Sequence, residues 1–292
     1  MKIKKNILLV LLFSLLFSLQ SLIFSFEWPE KETTTESYGL YFSQNRGSLL
    51  SISQIFSQPS EVLASENGKL LTIITELEDD NDFFPSTLGT AVILGHEDEL
   101  LTVYANLDTA SLSLELEKSE IKEGDFLGES GSTGWQEGKS NLEFQIIDKK
   151  NNTAINPKLL MPRLEKDLPL SLTGIVIQNK NGEQYEISSH KTFGAGMYKI
   201  YCKKNEIVFP FKTSVSVNGI LLDQISYDTI IQENSKLYVI GKKKYSSEDI
   251  FPSENLQLLG EAMLTSGRAT LTLTMEDNLG NQKQVNYNIS VY

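Results

Sequence analysis

The chain reads as an all-β protein built from two successive units, and three observations carry that reading. Short runs rich in Val, Ile, Leu, Thr and Tyr recur along nearly all of its 292 residues. Turn chemistry separates them, as at Asn67-Gly68, Asn181-Gly182 and Asn218-Gly219, where residues that tolerate a positive φ sit side by side. No window carries a long apolar stripe at helical spacing.

The first 25 residues stand apart from this pattern. Lys2, Lys4 and Lys5 precede an apolar run over 7–24 that holds no acid. A charged start followed by a short apolar stretch is the pattern of a secretory signal peptide, here 1–25. Retention of this segment as an uncleaved anchor is the competing expectation, and it is the one route to a membrane. Residues 26–37 are polar and aperiodic, which predicts a flexible mature N-terminus.

From 38 to 162 the β-patterned runs are 70–77, 90–95, 100–106 and 142–148. The stretch 111–119 alternates Leu112, Leu114 and Leu116, which favours strand over helix. Residues 163–169 follow Pro162 and end at Pro169, and read as a linker. From 170 to 292 the strands are expected at 173–178, 198–202, 213–217, 236–240, 269–275 and 284–291. That spacing predicts a β-sandwich, Ig-like in general architecture.

Charge and cysteine content restrict the function. The formal net charge is −12, and loss of the leader lysines makes the mature protein more acidic still. Such a chain repels nucleic acid and anionic lipid, and the short Lys242-Lys243-Lys244 run sits at a turn. Cys202 is the only cysteine, so no intramolecular disulfide forms. It lies in a strand-like run and reads as a buried structural residue. A secreted chain without disulfides points to a bacterial periplasm or envelope, reached by crossing the inner membrane. The acidic run at 76–82 lacks the spacing and the glycine of a calcium loop.

The most informative segment is Ser130-Gly131-Ser132-Thr133-Gly134, followed by Asn141-Leu142-Glu143-Phe144-Gln145. Other segments stand in order around it. They include Asn45-Arg46-Gly47, Val62-x-Ala64-x-x-x-Gly68, the run from Gly89 to His96, Thr102-Val103-Tyr104-Ala105-Asn106-Leu107, Gly124-Asp125 and Asn156-Pro157. Together they resemble the lysostaphin-type (LytM-like) zinc metallopeptidases, peptidoglycan endopeptidases whose motifs read G-x-T-G, Y-x-H-L and H-L-H-F-E. The resemblance implies an antiparallel β-sheet domain of duplicated hybrid motif, or barrel-sandwich, type over 38–162.

The resemblance also implies where zinc and catalytic groups would sit, and those positions have lost their chemistry. The family's acid/base histidines fall on Asn106 and Asn141. Its zinc is held by a His and an Asp four apart and by a second His, which fall on Leu50, Gln54 and Glu143. The chain has two histidines in all, His96 and His190, where the family site uses four. Leu has no donor, and the amides of Asn and Gln are poor zinc ligands. No cofactor is therefore expected, a weak hard-cation site at Glu143, Gln54 and Asn106 being the metal-binding alternative.

The function expected is that of a secreted, non-catalytic member, a pseudoenzyme. It would bind peptidoglycan or an envelope protein such as a cell-wall amidase through a groove presenting Tyr104, Asn106, Asn141 and Glu143. The alternative is an active zinc endopeptidase that cleaves peptidoglycan cross-bridge peptides.

Overall fold

The structure is a computed structural model, and it describes residues 26–75, 86–135, 140–164, 168–205 and 207–292. The expected leader, the acidic run 76–82 and the middle of the expected linker lie outside the described residues. The regular structure of the described residues is nearly all strand, with single turns of 3-10 helix and one short α-helix, Ser247–Ile250.

In the first half five strands position the site. They are β1 (Gln54–Phe56), β2 (Gly68–Ile74), β3 (Thr90–Gly95), β4 (Leu100–Leu107) and β5 (Glu143–Asp148). Strands β2 to β5 and β1 form one antiparallel array in the order β2-β3-β4-β5-β1. Side chains alternate across it. One face buries Val92, Leu94, Tyr104, Phe144 and Ile146 in the core of this half. The other face carries Glu143 and Gln145 on β5 and Ala91, Val103 and Ala105 beside them.

The second half is a two-sheet sandwich. One sheet holds Val176–Asn179, Gln184–Glu186, Gly196–Lys203 and Leu256–Leu264. The other holds Lys212–Val217, Ile220–Glu233, Gly267–Glu276 and Gln282–Val291. Between them lie Ile177, Ile200, Val215, Leu259, Leu271, Leu273 and Ile289, all nearly inaccessible. Cys202 is buried in the same core, and burial pushes its thiol up to about 12, so it stays protonated.

Three sequence expectations need correction. Residues 26–37 are not a flexible tail. Phe26 and Glu30 are buried, Pro29 accepts the N–H of Leu63, and the Trp28 ring donates to Pro162 O at 2.9 Å. The cause is the apolar Phe26 and Trp28, which pack against His96 and Phe56. Residues 111–119 are two 3-10 turns, Thr109–Ser111 and Leu114–Glu117, capped by Asp108 and Ser113. Leu116 is buried in the core and Leu112 packs against it, while Leu114 is exposed, so the alternation served no sheet. Strand Leu256–Leu264 lacked a clean alternation, because it buries Gln257 and Glu261 among its apolar residues and its register shifts near Gly260.

The two halves are also more tightly joined than a linker implies. Thr153–Ile155 pairs antiparallel with Thr229–Ile231 of the second half, so one sheet runs through the molecule. Asn156 seals this seam, its N–H donating to Asp228 O at 2.8 Å and its Nδ2 to Tyr227 O at 2.9 Å. Tyr41, Phe42 and Leu50 of the first half share a core with Phe209, Ile225 and Tyr227 of the second.

Candidate functional site

The G-x-T-G segment is a scaffold, and its glycines explain themselves. A Cβ on Gly131 would stand 2.5 Å from the backbone N of Asp108, and one on Gly134 would stand 2.9 Å from Leu88 O. Gly89 has φ +64° and would meet Thr133 and Gly134 at 2.3 Å. The loop thus lies flat against 88–89 and 106–108, where only hydrogen fits. Thr133 fixes it by donating to Leu107 O at 2.8 Å and accepting from Thr90 N at 2.9 Å.

Asn106 is the hub of this loop. It ends β4 in a left-handed conformation, φ 64°, which Asn tolerates better than most residues. Its Nδ2 donates to Gly131 O at 2.6 Å and to Asn141 O at 2.7 Å, while its Oδ1 accepts from Gly134 N at 2.7 Å. Asn106 is fully buried. It ties the loop to the start of β5 and presents nothing to a ligand. Asn141 is buried as well and lies at this same junction.

Tyr104 does not belong to a groove. It faces the core beside Phe144, with ring centroids 5.2 Å apart, and its hydroxyl accepts the N–H of Ser65 at 2.7 Å. Burial pushes its phenol pKa up, so it stays neutral. Strand alternation decides the matter, because Tyr104 pairs with Phe144 on the face opposite Glu143.

Leu50 and Gln54 are likewise misplaced as metal positions. Leu50 is in the shared core between the halves, and Gln54 donates to Leu40 O at 2.8 Å, buried beneath β1. The residue that meets Glu143 is Ser53, whose hydroxyl donates to Glu143 Oε1 at 2.6 Å. Four residues before it, Leu49 is 56% exposed. Leu49 and Ser53, each one residue before Leu50 and Gln54, both line the cleft that Glu143 borders. A one-residue slip turns every side chain to the other face.

Glu143, which the resemblance sets at a zinc-ligand position, is held in an ion pair. Arg46 Nη1 donates to Glu143 Oε1 at 2.7 Å, and Arg46 Nη2 reaches Trp135 O at 3.3 Å. Gln145 Nε2 donates to Ser53 Oγ at 2.9 Å. Glu143 is buried and Arg46 is half-exposed. The network borders a cleft of about 740 Å³ lined by Leu49, Trp135 and, from the second half, Leu237. Sequence reading used Arg46 only as part of an opening motif and missed Ser53 and Gln145. The one available signal was period two on β5, which puts Gln145 on the face of Glu143.

Zinc does not fit this set. Leu49 offers no donor, Ser53 a neutral hydroxyl, and the Glu143 carboxylate already holds a guanidinium. The hard-cation set does not assemble either, because Gln54 and Asn106 are turned into backbone bonds. Among the described residues no group of three or more His, Cys, Asp or Glu stands together. His96 lies beside Thr102 of β4, three residues along that strand from Ala105, the partner of Glu143. It bonds Asn67 O and Thr102 Oγ1, and burial lowers its pKa. His190 stacks on Tyr185 in the second half.

This is the frame of a zinc peptidase around a site of different chemistry, and comparison with known proteins gives the frame its family. Residues 52–157 match the model of peptidase family M23. A separate family model matches residues 169–292. The first half thus carries an M23, or LytM-like, domain. Similar proteins are the cell division protein DipM of Caulobacter vibrioides, 26% identical over 141 residues, and the murein hydrolase activator NlpD of Escherichia coli, 25% identical over 141 residues. The match covers 47% of this chain and 21% of DipM, and 48% of this chain and 32% of NlpD. The chain therefore spans a third or less of these relatives. Among solved structures, the catalytic domain of the M23 protein EnpA from Enterococcus faecalis aligns with TM-score 0.34 and 16% identity. It covers 44% of this chain and 94% of that one. A zinc-containing peptidase from Vibrio cholerae aligns with TM-score 0.34 and 15% identity, covering 48% and 40%.

Proposed function

We propose that this protein is a secreted, non-catalytic M23-type protein of the bacterial envelope, one that binds peptidoglycan or a wall hydrolase and regulates or scaffolds wall hydrolysis. The observation that supports this reading is the Arg46–Glu143–Ser53 network, in which the carboxylate that the resemblance sets at a zinc-ligand position already holds an internal cation. A guanidinium cannot lower the pKa of a bound water as zinc does. It can hold a carboxylate in a fixed place and border a recognition cleft. The names of the relatives, a murein hydrolase activator and a cell division protein, support a role at the wall.

Elemental analysis of the purified protein, with one equivalent of Zn²⁺ offered, tests the reading first. Near-zero zinc and no peptidoglycan cleavage are expected. Stoichiometric zinc with chelator-sensitive cleavage would sink it. A reconstruction tests the register. Leu49→His, Ser53→Asp and Glu143→His, with Arg46→Ala to remove the competing cation, should create zinc affinity. The Leu50→His and Gln54→Asp pair in the same background should not. For the regulatory part, the chain is added to a purified wall amidase, where a rise in sacculus digestion is expected. No rise with any amidase or endopeptidase of the same organism would remove it.

A further inference from the structure

The segment 26–33, expected from sequence to be a free tail, is docked by a few separate bonds. The Glu27 N–H donates to Ser65 O at 2.7 Å, the Leu63 N–H to Pro29 O at 2.9 Å, and the Trp28 ring to Pro162 O. The segment thereby covers one edge of strand Glu61–Leu63. One of its anchors is costly. Glu30 is 7% exposed, and its carboxyl accepts from the Ser60 hydroxyl at 2.6 Å. Among the described residues no cation pairs with it, and the adjacent Lys31 is turned outward onto Glu61. The charged side chains of the segment and of the two strands beside it are Glu27, Lys31, Glu32, Glu61 and Glu129. With a single base among these acids, a charge on Glu30 would have one hydroxyl in place of its water shell. Ser60 carries this contact further. Its N–H donates to Ser130 Oγ at 3.0 Å, and its carbonyl accepts the Ser130 N–H at 2.9 Å. Ser130 opens the G-x-T-G loop, and beyond that loop Trp135 borders the cleft beside Arg46.

We propose that residues 26–33 are a proton-controlled strap, docked while Glu30 is neutral and lifted when Glu30 ionises, and that its release loosens the Ser130 end of the G-x-T-G loop. Lifting returns water to the carboxylate and to the Leu63 N–H, at the expense of the buried Phe26 and Trp28 contacts. Burial raises the docked Glu30 carboxyl from 4.5 to about 7, so the docked state holds the proton more tightly than the lifted one. Docking is therefore strongest below pH 4.5, weakens as pH rises and is weakest above about 7. The two limits differ by about 300-fold in the docking equilibrium. His96 packs on Phe26 and lies near Glu66, and burial lowers its pKa. Its protonation at acid pH would oppose docking, the reverse of the Glu30 response.

The strap goes beyond the proposed wall function and does not depend on it. The test is hydrogen exchange of the whole chain at pH 5 and pH 8, read by mass spectrometry and corrected for the intrinsic pH dependence of exchange. Peptides over 26–34 and 60–64 should lose on the order of 50-fold in protection between the two. The peptide over 128–133 should lose protection with them. Glu30→Gln keeps the shape without the charge and should hold its protection at pH 8. Ser60→Ala removes the hydroxyl bond alone, so 26–34 should keep its pH response while 128–133 loses its own. Peptides over Gly267–Glu276 should not respond in any variant. Equal protection of the native protein at both pH values, or the same fall in Glu30→Gln, would overturn the strap. A response at 26–34 with none at 128–133 in the native protein would overturn its link to the loop. No ligand enters this test, so its failure leaves the zinc and hydrolase experiments untouched.

Discussion

Glu143 and Asp223 are both buried carboxylates on the one continuous sheet, and they are held in opposite ways. Asp223 is closed in: it accepts from the backbone N–H groups of Lys242 and Glu261 and from the Tyr245 hydroxyl. Burial and the Asp223 carboxylate push the Tyr245 phenol well up, so it remains a donor. Glu143 accepts from the side chains of Arg46, Ser53 and Gln145, and it borders a cleft. The difference teaches which carboxylate is architecture and which belongs to a site. Backbone donors fix a strand crossing, whereas side-chain donors can be rearranged by a partner.

The largest effect should come from the closed site. Asp223→Ala leaves two backbone N–H groups and a buried phenol without their acceptor, and should cost about 3–5 kcal/mol in a denaturant titration. A cost near 1 kcal/mol would break the distinction, since Asp223 would then be no more embedded than a surface group. Asn106→Ala comes next, at about 2–4 kcal/mol, because three hydrogen bonds vanish at a positive φ that alanine dislikes. Asn106→Gly should recover part of that loss by accepting the backbone, which would separate strain from bonding.

Glu30 sharpens the comparison through pH. It is buried under the N-terminal segment with Ser60 donating to it at 2.6 Å, and burial raises its carboxyl from 4.5 to about 7. A raised carboxyl pKa means the folded state holds the proton more tightly. The associated stability is complete below about pH 4.5 and is lost as pH rises through 7. Glu30→Gln should therefore stabilise the protein by on the order of 2–3 kcal/mol at pH 8 and by almost nothing at pH 4. Equal melting temperatures at both pH values would show the segment to be looser than its packing indicates.

Arg46→Ala is the smaller test, at about 1–3 kcal/mol, because Arg46 is half-exposed and Glu143 keeps Ser53 and Gln145. Adding Glu143→Gln should restore most of that loss in a double-mutant cycle. The smallest effect is expected for Lys31→Ala. Its ion pair with Glu61 is solvated on both sides, so melting should shift within experimental scatter.

Much of the fold was legible because strand alternation and turn dipeptides are local signals. The G-x-T-G segment and the strand motifs identified the M23 domain from residues that shape backbone, such as Gly89, Gly131 and Gly134. The site was less legible. Tyr104 and Glu143 lie on β-strands only one registered pair apart, Glu143 opposite Ala105, yet they face opposite sides. The 49–54 segment breaks between the short strand Leu49–Leu50 and β1, so no continuous alternation pointed to Ser53 as the residue that meets Glu143. The N-terminal segment was misread because its two anchors, Phe26 and Trp28, sit among polar residues and find their partners far along the chain.

The sequence by itself determined the all-β class, the domain type of the first half and a content of only two histidines. These depend on residue identity and short-range periodicity, which a chain carries without folding. Only the tertiary structure decided that Asn106 is a strut, that Arg46 pairs with Glu143, and that Thr153–Ile155 and Thr229–Ile231 weld the halves into one sheet. Those facts depend on which distant segments meet and in which register. Contact energies between residues dozens of positions apart settle that, and no local pattern encodes it.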